Sequence, residues 1–131
     1  MGCYVINNYV VLFYRGDKEM SLSERDYQYY GCRIRNYVLD EEKKTLVLYC
    51  DYLERSYVML PILEVCAYDS LEFLVNHIIN HVVCSYDIET DSKLFEIHFD
   101  HLYETTKIWA KTMLPISHLT DSALIKNFYC N

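Results

Sequence analysis

The sequence predicts a single α+β domain. In this reading antiparallel strands pack against one amphipathic helix at about 70–83, and a C-terminal helix and an extra tail follow. Three observations carry the prediction. Runs rich in Tyr, Val and Ile are separated by short polar turns, the pattern of strands. Leu71, Leu74, Val75, Ile78, Ile79 and Val82 recur at helical spacing and form one apolar stripe. The length of 131 residues suits one domain and is enough to bury a core. With 52% hydrophobic and 24% charged residues the chain is not a disordered segment, and three Gly and two Pro leave little for flexible linkers.

From the start, Cys3 to Tyr14 reads as a strand bent at Asn7-Asn8. Gly16-Asp17 marks a turn. Ser21 and Glu24 have the spacing of a capping box, which predicts a short helix to about Tyr30, ended by Gly31. Cys32 to Leu39 and Thr45 to Tyr52 are β-prone runs across a charged Asp40–Lys44 turn, hence a hairpin. Tyr57 to Val65 is apolar but contains Pro61, which predicts an edge strand or two pieces. The helix at 70–83 is capped by Asp69 or Ser70. Val83 to Glu89 and Leu94 to Phe99 form a second hairpin, with Phe95, Ile97 and Phe99 on one face and Leu94, Glu96, His98 and Asp100 on the other. Leu102, Trp109 and Met113 space as a helix that stops before Pro115. The segment 115–131, with Ala123, Leu124, Ile125 and Phe128, reads as an exchange arm or a capping tail.

The charge balance narrows the function. A formal net charge of −7 gains nothing from counterion release on a phosphate backbone, so no direct nucleic-acid binding is expected. The densest basic spot, Arg33 and Arg35, alternates on a strand as a solvated face does. Six Cys include no C-x-x-C pair and no zinc spacing, and there is neither a secretory signal nor an N-x-[ST] sequon. They read as reduced, mostly buried thiols, with no disulfide, metal or cofactor expected. No apolar stretch approaches a membrane span, and Ile6 breaks the myristoylation pattern that Gly2 would begin. Fourteen Tyr suit strands, half-buried surfaces and interfaces.

Candidate chemistry is sparse. His77 and His81 have the i, i+4 spacing of a two-histidine metal site, but Ile-Ile-Asn between them lacks the Glu of a zinc-protease helix. Cys84 with His81 or His98 has the residue types of a thiol nucleophile, yet its apolar neighbours predict burial instead. Leu48 to Tyr52 is one residue away from a pocket-docking Leu-x-Cys-x-Glu peptide, with Tyr52 in place of the Glu. No Gly-rich phosphate loop is present. Asn76 and Asn80 stand one turn apart on the expected helix. Asn is a mediocre helix former, so a register-fixing role in a helix–helix contact is a reason for its presence. No catalytic residues are assigned.

The stretch from Leu71 to Leu102 resembles the C-terminal half of the adenovirus E4-ORF3 proteins. A Leu-Glu start, a Val-x-His step, an Asn, a Cys-Ser pair and a late Leu-x-x-x-His-Phe occur in the same order, over about a third of the chain. The N-terminal half shows little similarity, the turn at Thr90 to Lys93 is shorter, and Thr105 to Asn131 continues past the family's end. The resemblance implies a small α+β viral early protein without enzymatic activity in the host nucleus. It would form a homo-oligomer, at least a dimer, and sequester host nuclear proteins such as PML-body, TRIM or DNA-repair components. It further implies a self-assembly role for Asn80 and partner binding by Leu94, Glu96 and Ile97. The alternative is a viral adaptor that inhibits one host antiviral or signalling protein. A small Cys- or His-dependent enzyme is the third reading.

Overall fold

The computed structural model describes residues 2–6, 9–13, 22–52 and 56–119, with side chains from residue 23 onward. It holds strands β1 (Gly2–Ile6), β2 (Tyr9–Phe13), β3 (Leu22–Asp26), β4 (Cys32–Asp40), β5 (Thr45–Tyr52), β6 (Ser56–Leu63) and β7 (Ala67–Asp69). A single 3-10 turn, Leu71–Phe73, leads into β8 (Ile79–Asp87), β9 (Ser92–Phe99), β10 (Leu102–Ala110), β11 (Thr112–Met113) and β12 (Ser117–His118). The strands form two antiparallel sheets. One has seven strands in the order β1-β2-β3-β8-β9-β10-β7, and the other five, with β11-β6-β5-β4 in order and β12 also on β6.

The two sheets close on one core, as the faces of a sandwich do. Ile34, Leu46, Leu48, Val58, Leu60 and Ile62 come from the smaller sheet, and Ile79, Val82, Phe95, Ile97, Phe99 and Ile108 from the larger. Tyr29, in the turn after β3, is also buried and donates its hydroxyl to Leu114 O at 2.9 Å, tying that turn to the chain after β11.

The α+β expectation is overturned, because no α-helix occurs among the described residues. Over 70–83 the chain makes a 3-10 turn and then β8. Ser70 and Asn76 take positive φ (65° and 70°), which breaks any helix there. The β-branched Val75, Ile78, Ile79, Val82 and Val83 favour the strand. The helical spacing has a local cause. The β8–β9 register shifts between Ile79↔Phe99 and His81↔His98, leaving Asn80 as the extra residue of a bulge. The bulge brings Ile79 and Val82 to the same inner face three residues apart, which is a helix-like interval produced by a strand.

The expected C-terminal helix is β10 and β11. Thr106, Ile108 and Ala110 alternate inward with period two, and Trp109 faces out, donating Nε1–H to Asp87 Oδ2 at 2.9 Å. Leu102 packs on the core and Trp109 faces outward, so the seven-residue interval between them joins opposite faces of a strand and not one face of a helix. The expected capping-box helix is β3 and a following turn, so Glu24 pairs with Val11 and Cys84 across the sheet. The expected bent first strand is the β1–β2 hairpin, with Ile6 opposite Tyr9. Pro61 lies in neither an edge strand nor a break, since β6 runs unbroken beside β5. Pro61 is tolerated because its other flank falls between the β11 pairs at Ile62 and Leu63 and the β12 pairs at Val58 and Met59. There no N–H is demanded, and its carbonyl accepts from Leu114 N at 2.9 Å. In the 115–131 segment, Ser117 and His118 pair with β6 of the same chain, and 120–131 lies outside the described residues.

Candidate functional site

The outer face of the seven-stranded sheet carries a polar network at the β8 bulge. β9 turns Phe95, Ile97 and Phe99 inward and Leu94, Glu96 and His98 outward. His81 lies opposite His98, Val83 opposite Glu96, and Lys107 on the far side of Glu96. Asn80, freed from the ladder by the bulge, donates Nδ2–H to Asp100 Oδ1 at 2.7 Å. Its Oδ1 lies 2.7 Å from His81 Nδ1. That oxygen can only accept, so the proton sits on Nδ1 and His81 Nε2 is left with its lone pair. Nε2 is buried and has no hydrogen-bond partner among the described residues.

The His81 ring stacks on His98 at 4.4 Å between centroids and 13° between planes, with Tyr27 at 5.4 Å. His98 in turn meets Glu96 at 2.7 Å. Burial lowers the His81 pKa from 6.5 to about 4, with further lowering from His98 and Arg25 against an opposing pull from Glu96. The geometry agrees, because a second proton would place an unbonded N–H at the buried Nε2. The arrangement locks β8, β9 and the turn after β3 together and keeps His81 neutral.

Asn80 is therefore engaged within its own chain, to Asp100 and His81. Leu94 and Glu96 are half-buried on the outer face, while Ile97 is fully buried in the core, where no partner meets it. His77 lies in the loop before β8. Its carbonyl accepts from Ile34 N and its ring contacts Phe99 at 5.7 Å, so it does not share a helix face with His81. Among the described residues no group of three or more His, Cys, Asp or Glu has the arrangement of a metal site. Burial pushes the Cys84 thiol up, and it pushes the Cys32 thiol to about 11, with Asp51 adding to the rise. Leu48 to Tyr52 is part of central strand β5.

The five-stranded sheet offers a different surface. β4 is its terminal strand among the described residues. Its first part is covered, since Ile34 bonds Asn76 N and His77 O and Arg33 bridges Ile78. A bulge at Arg35 follows, and from there to Asp40 the outer edge carries no strand among the described residues. Tyr37 N–H is taken by Asn36 Oδ1 at 2.9 Å. Val38 is 45% exposed and begins an apolar row across the outer face, paired to Val47 and through it to Pro61. Arg35 and Asp51 close one end of this face with a 2.6 Å ion pair. Sequence reasoning read the hairpin but not this edge, because strand order is set by tertiary pairing. No helix among the described residues is long and apolar enough to cross a membrane.

No protein-family model, curated protein or solved structure matches this chain.

Proposed function

We propose that this chain is a non-catalytic, self-associating protein-binding module that uses the β4 edge and the outer face of its smaller sheet. The observation that carries this reading is the Val38–Asp40 end of β4, the terminal strand of its sheet among the described residues, with Val38 exposed on the Val47–Pro61 row. An uncovered strand edge beside apolar surface is a template for another chain. A load of fourteen Tyr, several of them large exposed side chains such as Tyr27, Tyr30, Tyr68 and Tyr103, suits such contacts.

The wider setting, a viral early protein that gathers host nuclear proteins, rests on the residue order from Leu71 to Leu102. The helix expected at the start of that stretch is a turn and the first part of β8, so the fold lends the resemblance no support. Self-association is the part with support independent of it.

Sedimentation velocity over a dilution series tests the proposal. The parent is expected to form at least a dimer at micromolar concentration, and Val38→Lys, an edge lysine of the kind that discourages strand pairing, is expected to shift it towards monomer. A strict monomer at high micromolar concentration refutes self-association. An unchanged size distribution for Val38→Lys refutes the edge.

A further inference from the structure

At one end of the sandwich the β4–β5 turn, the β6–β7 connection and the β8–β9 turn surround a notch of about 510 Å³. Three ammonium groups, from Lys44, Lys93 and Lys111, line it in a chain whose formal net charge is −7. Two carboxylates line it as well, and both are occupied. Glu64 meets Lys111 at 3.4 Å, and Asp91 accepts from the Tyr86 hydroxyl. Lys44 and Lys93 make no ion pair among the described residues. The hydroxyls of Thr90 and Ser92 lie 2.7 Å apart on the same wall, and one of them has a second valence to offer. Cys66 is exposed within the notch, with Sγ 3.4 Å from Trp109 O and 3.7 Å from Ser92 Oγ.

We infer that this notch binds a small phosphorylated molecule through Lys44 and Lys93, with the one free hydroxyl proton of the Thr90–Ser92 pair completing the donor set. Three features of the notch support this. The donors are ammonium and hydroxyl groups, which suit a phosphoryl oxygen. The competing carboxylates are held by other partners. The volume lies in the range of small-molecule sites. The site is separate from the β4 edge and does not depend on the protein-binding reading.

The exposed Cys66 thiol supplies the readout. Alkylation of the folded full chain by iodoacetamide is followed at Cys66 by peptide mass spectrometry, at constant ionic strength, with inorganic phosphate, pyrophosphate or chloride. With a dissociation constant of about 1 mM, pyrophosphate at about 10 mM slows Cys66 alkylation about tenfold relative to chloride. Protection by pyrophosphate alone assigns adjacent phosphoryl groups, and equal protection by orthophosphate assigns a single one. The Lys44→Gln/Lys93→Gln variant is expected to melt like the parent and to lose the protection. No protection of the parent by either anion overturns the inference, and so does protection that persists undiminished in the folded double variant.

Discussion

Lowering the pH tests the His81 network directly. His81 is held neutral by burial, by the stacked His98 and by Arg25, and its pKa falls from 6.5 to about 4. The unfolded chain therefore binds a proton at this residue that the folded chain refuses between those two values. Stability from this group is fully present above pH 6.5, is lost as pH falls towards 4, and does not change further below that. A fall of this size corresponds to about 3 kcal/mol if fully realised. The ring is only half-buried, and solvent screening reduces the expected loss to about 1–2 kcal/mol.

Other groups also respond to acid, so the measurement is a difference between two proteins. His81→Phe keeps an aromatic ring against His98 and Tyr27 but has no proton to take up. Urea unfolding of parent and variant at a series of pH values from 7.5 to 4.5 gives the two pH dependences. The variant is expected to lose about 1–2 kcal/mol less than the parent over this range. The paired carboxylate of Glu96, the half-buried bond from Asn80 to Asp100 and the nearby Lys107 are common to both proteins and largely cancel. An NMR titration of His81 supplies the direct value. Identical pH dependence in the two proteins, or a His81 titration near 6.5, refutes the claim that the buried Nε2 and the stacked ring keep it neutral.

Three further outcomes are expected. Ile97→Ala removes a fully buried side chain between the sheets and is expected to cost about 2–5 kcal/mol by urea unfolding, whatever its effect on association. Gly31 has φ 88°, and a Cβ there would meet Tyr52 Cε2 at 3.4 Å, so Gly31→Ala is expected to destabilise by about 1–2 kcal/mol in the same assay. At pH 8 Cys66 is expected to alkylate in the folded protein while Cys32 and Cys50, buried and with thiols pushed up, react only on unfolding. Peptide mass spectrometry reads the order, and equal rates would contradict their placement.

β9 alternates without interruption and was legible, as was the β4–β5 hairpin, whose charged Asp40–Lys44 turn lies where the sequence places it although β4 carries a bulge at Arg35. At the β8 bulge the same logic misleads. Asn80 shifts the inner positions of β8 from a spacing of two to three, and the sequence window then shows the interval of a helix. Two local signals favoured the strand and were outweighed by that interval, namely the β-branched density from Val75 to Val83 and the poor helix propensity of Asn76 and Asn80. The long-range pairings that put β3 beside β8 and β7 beside β10 were beyond sequence reach, because they depend on contacts between distant residues.

The site was legible in composition and illegible in geometry. Asn80, His81, Glu96, His98 and Asp100 all stood out as polar residues among apolar neighbours. A helix would have dispersed the first two around its axis, whereas the bulge and its register place all five in one chain of contacts on a sheet face. This placement changes what an Asn80 substitution means. On a helix rim its amide would have been available to a partner, and its loss would have weakened assembly alone. In the bulge it satisfies Asp100 on one side and fixes the His81 tautomer on the other, so its removal unpairs two half-buried groups. Asn80→Ala is therefore expected to lower fold stability by about 1–3 kcal/mol, and to raise the His81 pKa by freeing the ring to turn Nε2 towards solvent. A variant that melts like the parent while associating less would return Asn80 to the interface and would show that the bulge network does not hold this face of the sandwich together.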